Sequence, residues 1–528
     1  MSDSGSTRSV PPTKEKELYS QHVELANEDG IALELDEIEN TATGAFVWLV
    51  SITASIGGML FGYDTGIISA VLVYLHSDLG HELAPNEKEI ITSLCSAGAF
   101  CGAIVAGLTA DKFGRKAAIY AGCFLFTVGA VVQGAAFSLA QMVVGRAIVG
   151  FGVGSAAMVV PLYLSEIAPT KLKGRLVGLN NMSITGGQVV SYGIGAAFAT
   201  VPHGWRYMVG LGGVPSVILA CLLPFCPESP RQLIYHGKTE EARAVVAKIF
   251  QNATPAQVEA KVATIAASVA QMKAMQGEIG RIEQIKKLHT NPQYFRALLC
   301  ACGLMCISQL SGFNVLMYYS STLFSIVGFS NPVAVGTVVA GVNFIMTFAN
   351  AVLVDPWGRR RVLVSTVWGM SACLAAVAVA FHWIPIDRET LAVTSEKVST
   401  PAIVVLVFII LFCFFYGVSV GNTAWMSVDF FPMDVRAMGT LWMTCSNWGP
   451  NLIVSSTFLS MMKTLSPSGA FGFYSAVCFC GWMLIIFFYP ETSGLTVEET
   501  PEVFKHGFGV KYARQLRKER KAVARGEL

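Results

Sequence analysis

Hydrophobic residues in this chain come in long blocks poor in charge, not in short alternations. The blocks fall at 45–75, 91–110, 117–137, 141–165, 177–200 and 206–226, and again at 297–327, 332–354, 362–384, 402–430, 437–461 and 470–489. A hydrocarbon layer about 30 Å thick takes about 20 apolar residues as a helix, so each block is long enough to cross it. The pattern predicts six crossings, a polar segment and six more. The two long runs that end before Glu166 and Asp429 have length to spare for a break. Between the sets, 227–296 is dominated by Ala, Glu, Lys and Gln and carries Lys238, Glu240, Glu241, Arg243 and Lys248, which predicts short solvated helices. The expected organisation is a polar tail over 1–44, a bundle over 45–226, a helical linker over 227–296, a second bundle over 297–489 and a basic tail over 490–528. That is an all-α membrane protein.

Composition agrees with this medium. Hydrophobic residues make up 53% and charged residues 14% of the chain, against about 25% charged in soluble domains. The mean hydropathy is +0.54. A formal net charge of +2 leaves no basic face able to neutralise a run of phosphates, so nucleic acid is not an expected partner. The first 44 residues hold Lys14, Glu15, Lys16, Glu17, Glu34, Asp36, Glu37 and Glu39, unlike a cleaved signal, and none is expected. Nearly all the cysteines lie in or beside apolar blocks, where a thiol behaves as a small hydrophobe. Cys300, Cys302 and Cys306 have no His or acidic neighbours, so no metal site is expected. With no nucleophile and base pair and no phosphate loop, an enzyme is not expected either.

Lys and Arg set an orientation. Asp111 to Lys116, Lys171 to Arg175, Arg359 to Arg361, the 227–296 segment and the tail from Lys511 to Arg525 all fall on one side. The positive-inside rule places that side, and both termini, in the cytosol.

Within the apolar blocks a few polar groups stand out. Asp64, in Phe61-Gly62-Tyr63-Asp64-Thr65-Gly66, is the only Asp, Glu, Lys or Arg from 45 to 75. A charge at mid-depth costs about 2.5–3.5 kcal/mol on insertion scales and marks a pathway, a relay or a counter-ion. Arg146 is the only cation of the 141–165 block and the natural partner. Opposite charge favours the ionised acid and burial opposes it, so such a pair, beside a watery cavity between the halves, is suited to coupling a proton to a solute. A static pair that fixes two helices is the alternative.

The halves also repeat one another. Asp111-Lys-Phe-Gly114-Arg115 recurs as Asp355-Pro-Trp-Gly358-Arg359, Glu166-Ile-Ala-Pro169 as Asp429-Phe-Phe-Pro432, and Pro227-Glu228-Ser229 as Pro490-Glu491-Thr492. Parallel six-helix halves are a transporter design. The turn cations are expected to pair with Glu166 and Glu228 in one half and with Asp429 and Glu491 in the other while the cytosolic mouth is shut. For a solute, Asn181 and Gln188, then Gln309, Asn314, Tyr318 and Tyr319, then Asn343, Trp425, Asn447 and Trp448 form a candidate ring. Amides both donate and accept, which suits a neutral polyhydroxylated molecule, and an indole face suits its C–H surface.

These motifs together resemble a sugar porter of the major facilitator superfamily over nearly all of 45–500. Finer features are similar to the fungal myo-inositol transporter branch: Thr65 after Asp64, Asp78-Leu79-Gly80-His81, Thr185-Gly186-Gly187-Gln188, Ser446-Asn447-Trp448-Gly449, and Pro490-Glu491-x-Ser493-Gly494-Leu495. The resemblance implies twelve helices, a central site between the halves, rocking alternating access and proton symport through Asp64. It implies solute-binding roles for Gln309, Asn314, Tyr318, Asn343, Trp425, Asn447 and Asn181, a plasma-membrane location, and no cofactor beyond the proton. A monomer is expected. Three departures stand against the family pattern: Ser308-Gln309 replaces a pair of glutamines, Ala424 replaces the proline before Trp425, predicting a stiffer tenth helix, and Asp429 stands where the family usually has Glu. A facilitative hexose uniporter is the second reading, and a non-transporting solute sensor the third.

Overall fold

The computed structural model describes residues 38, 44–169, 172–278, 280–387, 392–393, 399–432, 434–493, 495 and 499–524. Most of the tail expected over 1–44 lies outside the described residues, as does the side chain of Asp355. Among the described residues ten helices are long and apolar enough to cross a membrane, including Ala45–Tyr74, Pro85–Phe113, Arg115–Gly134, Leu139–Ile167 and Gly204–Phe225 in the first half. The second half supplies Pro292–Ile326, Pro332–Val354, Arg359–His382, Thr400–Phe430 and Arg436–Phe488. The last has 53 residues, which at 1.5 Å each is about 80 Å of helix and too long for one crossing. Ser466 breaks it with φ 78°, so it counts as two. Lys173–Ala197 is the remaining crossing; its Asn180, Asn181, Thr185, Gln188 and Ser191 make it too polar to stand among the ten. The total is twelve, in two sets of six.

Four helices bridge the sets: Pro230–Tyr235, Thr239–Ile249, Pro255–Glu278 and Arg281–Thr290. They and both Asp-x-x-Gly-Arg turns share one face of the molecule, called here the linker face. Lys287 ties the bridge to the second half through Asp434 at 2.5 Å. The only strand pairing among the described residues is Ile386–Asp387 with Ala392–Val393.

Close helix approach rests on missing side chains. A Cβ on Gly62 would overlap the Ile184 carbonyl, and one on Gly150 would overlap the Cys95 carbonyl. The first lets the first helix lie against the fifth; the second brings the fourth against the second, one turn from Arg146. Small residues at such crossings replace the hydrophobic drive that helices lack in lipid.

Two helices of the second half are broken. The seventh stops at Leu310 and restarts at Phe313, with Gly312 at φ 88°, so the spacing between Gln309 and Tyr319 crosses a bend and does not set a common face. The tenth breaks at Ser419, at φ −124° and ψ −107°, and continues through a 3-10 turn over Ala424–Phe430. Ala424 therefore does not stiffen this helix. The long run before Glu166, by contrast, is one helix that accommodates Pro161. A break frees carbonyls that must find donors, and here two amides supply them. Asn350 Nδ2 donates to the Val418 carbonyl at 2.6 Å and Asn422 Nδ2 to the Gly417 carbonyl at 3.2 Å. Asn350 is 1% exposed, so Asn350→Leu is expected to cost about 1–3 kcal/mol and lower the apparent Tm in detergent. Asn422→Leu, at a half-buried position, is expected to cost less in the same melt.

Candidate functional site

Asp64 is buried and its carboxylate is held by two groups. Arg146 Nη1 donates to Oδ1 at 2.5 Å, and the Cys95 thiol donates to Oδ2 at 3.0 Å. Arg146, 1% exposed, also donates from Nε to the Ile91 carbonyl at 3.1 Å, while its Nη2 has no partner. The first, second and fourth helices thus converge on one ion pair. Asp64 lines a narrow crevice shared with Tyr63, Ile67, Phe126, Gln133, Val149 and Val209, all first-half residues.

Across the interface stands a cluster of amides. Gln309 Nε2 donates to Asn447 Oδ1 at 2.6 Å, Gln309 Oε1 accepts from Asn451 at 3.0 Å, and it accepts as well from Asn314. Asn451 Oδ1 accepts from the Tyr318 hydroxyl at 3.2 Å and from Ser96 of the second helix at 2.6 Å. Ser96 follows Cys95 in the chain, so the amide cluster and the ion pair are joined through two adjacent residues of one helix. Trp448 closes one side: it packs on Phe61 with ring centroids 5.4 Å apart, and its buried Nε1 has no partner. Gln188 and Asn343 bond each other across the halves at 3.1 Å.

Not every candidate joins this group. Tyr319 turns away, its hydroxyl donating to the Ser455 carbonyl at 2.7 Å. Asn181 is half-buried; its carbonyl accepts from the Thr185 hydroxyl at 3.3 Å, and its side chain makes no hydrogen bond among the described residues. Trp425 packs, half-buried, against the larger apolar core, which draws residues from both halves. Ser308 faces the Tyr416 hydroxyl at 3.3 Å, and that ring stacks on Phe313 with centroids 3.8 Å apart, so an aromatic pair stands where a second glutamine is usual. Asn451, Ser96 and Cys95 are the residues that sequence reasoning missed. Asn451 had a signal, since it follows Asn447 by one helical turn and shares its face; the other two had none.

On the linker face each half carries a charged knot. Gly114, at φ 95°, turns the chain so that Arg115 grips Glu166 with two bonds of 3.1 and 2.8 Å and Asp111 with one of 2.7 Å. Glu228 pairs with no cation among the described residues; it accepts from the backbone N–H groups of Arg115 and Lys116, each at 3.2 Å, and so caps the third helix. The second knot is looser. Gly358 has φ 99°, Arg359 reaches Asp429 once at 3.3 Å and leaves its Nε unpaired, and Glu491 pairs with Arg517 of the tail at 3.3 Å. These ion pairs tie helix ends within a half. The opposite face is closed between halves: Ser69 bonds Ser321 at 2.9 Å, Tyr192 bonds Ser320 at 2.5 Å, and Glu89 accepts from the Ser460 N–H at 2.7 Å and hydroxyl at 2.5 Å.

Twelve helices in two similar halves, with a buried ion pair in one and an amide cluster in the other, define a multi-pass membrane transporter of the major facilitator type. Solved structures share this fold. The partially occluded inward-open xylose transporter XylE from E. coli superposes with a TM-score of 0.70 at 24% identity, covering 86% of this chain and 100% of that one. The major facilitator superfamily proton:xylose symporter XylE bound to 6-bromo-6-deoxy-D-glucose gives 0.71 at 24%, covering 87% and 99%. The family model for sugar (and other) transporters matches residues 50–504, and the chain belongs to that family. It is 42% identical to myo-inositol transporter 1 of Cryptococcus neoformans, over 90% of this chain and 84% of that protein. It is 39% identical to myo-inositol transporter 1 of Saccharomyces cerevisiae, over 91% and 83%. The family is one of carriers, and the chain is not an enzyme.

Proposed function

We propose that this protein imports myo-inositol or a closely related polyol by proton symport, through alternating access, in the plasma membrane and with both termini cytosolic. The observation that carries the reading is that adjacent residues of one helix hold the two polar groups, Cys95 bonding Asp64 of the Asp64–Arg146 pair and Ser96 bonding Asn451 of the amide cluster with Gln309. In that cluster the amides satisfy one another, and each bond can be exchanged for a hydroxyl that both donates and accepts. Trp448 Nε1 offers one more donor beside them. Relatives near 40% identity named as myo-inositol transporters support the solute class, and the proton symport named for the structural neighbour supports the coupling ion. No resident cofactor is part of this reading.

With the Lys- and Arg-rich linker face in the cytosol, the Ser69, Tyr192 and Glu89 contacts close the extracellular side. The charged knots then lie at the cytosolic mouth, where rocking of one half on the other requires their rearrangement. The deciding measurement is radiolabelled myo-inositol uptake in transporter-null cells with external pH recorded. Saturable uptake that alkalinises the medium is expected. Uptake without alkalinisation that glucose suppresses would establish the facilitative hexose reading instead.

A further inference from the structure

Symport needs a way for the proton to reach Asp64, and the amide cluster does not provide it. Both carboxylate oxygens face first-half groups, Arg146 and Cys95, whereas Gln309, Asn314, Asn447 and Asn451 belong to the second half. A crevice that touches Asp64 lies inside the first bundle, between its first, third, fourth and sixth helices. Ile67, Phe126, Val149 and Val209 make its walls apolar. Its polar groups are Asp64, Tyr63 and Gln133.

Tyr63 has a fixed partner, since its hydroxyl donates to the Met208 carbonyl at 2.7 Å. Gln133 has none. It is 2% exposed, it lines the crevice, and its side-chain amide makes no hydrogen bond among the described residues. Leaving a buried amide unpaired costs about 1–3 kcal/mol, so the group persists where water can meet it. Gln133 also lies one residue before the third helix ends at Gly134, on the face away from the linker. It therefore stands between that face and the acid.

We propose that Gln133 holds water in this crevice and that the coupling proton reaches Asp64 through it, inside the first six-helix bundle and apart from the path of the solute. This rests on the symport reading above. The crevice has room for about one water at a time and none for a ring polyol. In the transfer, an O–H bond of a hydronium breaks, an O–H bond forms on the carboxyl and neutral water remains behind. Oδ2 is the receiving atom: its partner, the Cys95 thiol, is neutral and turns from donor to acceptor, while Oδ1 faces the Arg146 cation. The other titratable groups near the acid are Tyr63 on its own helix and Tyr318 across the interface. Protonation removes the charge that holds Arg146 and so reports to the fourth helix.

The test uses the full chain in proteoliposomes enclosing a pH-sensitive dye, with labelled myo-inositol as solute. Gln133→Leu removes the amide, and Ala130→Val narrows the same crevice. Each is expected to lower both gradient-driven accumulation and proton entry about tenfold while equilibrium exchange stays within about twofold. Wild-type rates of proton entry and of gradient-driven accumulation in Gln133→Leu would overturn the proposal, and so would a parallel loss of exchange, which marks a scaffold residue. Solute flux without protons in the wild type would instead remove the symport reading, before any variant is compared.

Discussion

Asp64→Asn is expected to reduce myo-inositol accumulation to the level of the medium while leaving solute exchange across the membrane intact. One proton falling through 100 mV supplies about 2.3 kcal/mol, enough for about fifty-fold accumulation of a neutral solute. The asparagine cannot carry that proton, so the ratio falls to about one. Its amide still offers an oxygen to Arg146, and its size is that of the acid, so packing against Cys95 survives. Arg146→Leu is a harsher change because it leaves a carboxylate unpaired in the bundle, at about 3–5 kcal/mol. Arg146→Lys is not expected to rescue it, since the guanidinium bonds the Ile91 carbonyl and Asp64 at once and a single ammonium does not span both. The comparison is made in cells with a clamped potential, by measuring accumulation and counterflow on the same variant. Retained accumulation in Asp64→Asn would sink the coupling role.

The second large effect is expected at Asn451. This residue accepts from Ser96 and Tyr318 and donates to Gln309, so Asn451→Leu takes the acceptor from two buried hydroxyls and leaves Gln309 Oε1 with Asn314 as its donor. At about 1–3 kcal/mol for each unsatisfied group, a rise in KM of tenfold to a hundredfold is expected. Ser96→Ala separates two roles of the same residue, since Asn451 Oδ1 meets Ser96 and its Nδ2 meets Gln309. It removes the contact between halves and leaves the Gln309 bond, so it is expected to change the transport rate more than the affinity. Kinetics of labelled myo-inositol uptake for both variants, normalised to surface protein, make the comparison. A KM unchanged in Asn451→Leu would take this residue out of the solute site.

Much of this architecture was legible in the residues taken alone. Six and six crossings follow from block lengths, because hydrocarbon thickness admits few other arrangements. The pairing of Asp64 with Arg146 was legible for a related reason. A charge in lipid must find an opposite charge, and the apolar blocks hold very few. The knots at Arg115 and Arg359 could be located from their repetition, although Glu228 proved to cap a helix and Glu491 to hold the tail.

What the chain could not disclose is which face of each helix turns inward. Tyr318 and Tyr319 are neighbours in sequence, yet one joins the amide cluster and the other bonds Ser455. The bend at Gly312, which sets that choice, needs only one glycine and leaves the hydropathy unchanged. The break at Ser419 had no proline to announce it, because amides from Asn350 and Asn422 satisfy the freed carbonyls. Lipid solvates any apolar face equally well, so hydropathy fixed how many helices cross. Their rotation, and with it the joining of Ser96 to Asn451 and the crevice beside Gln133, was settled by polar bonds and close backbone contacts between helices far apart in the chain.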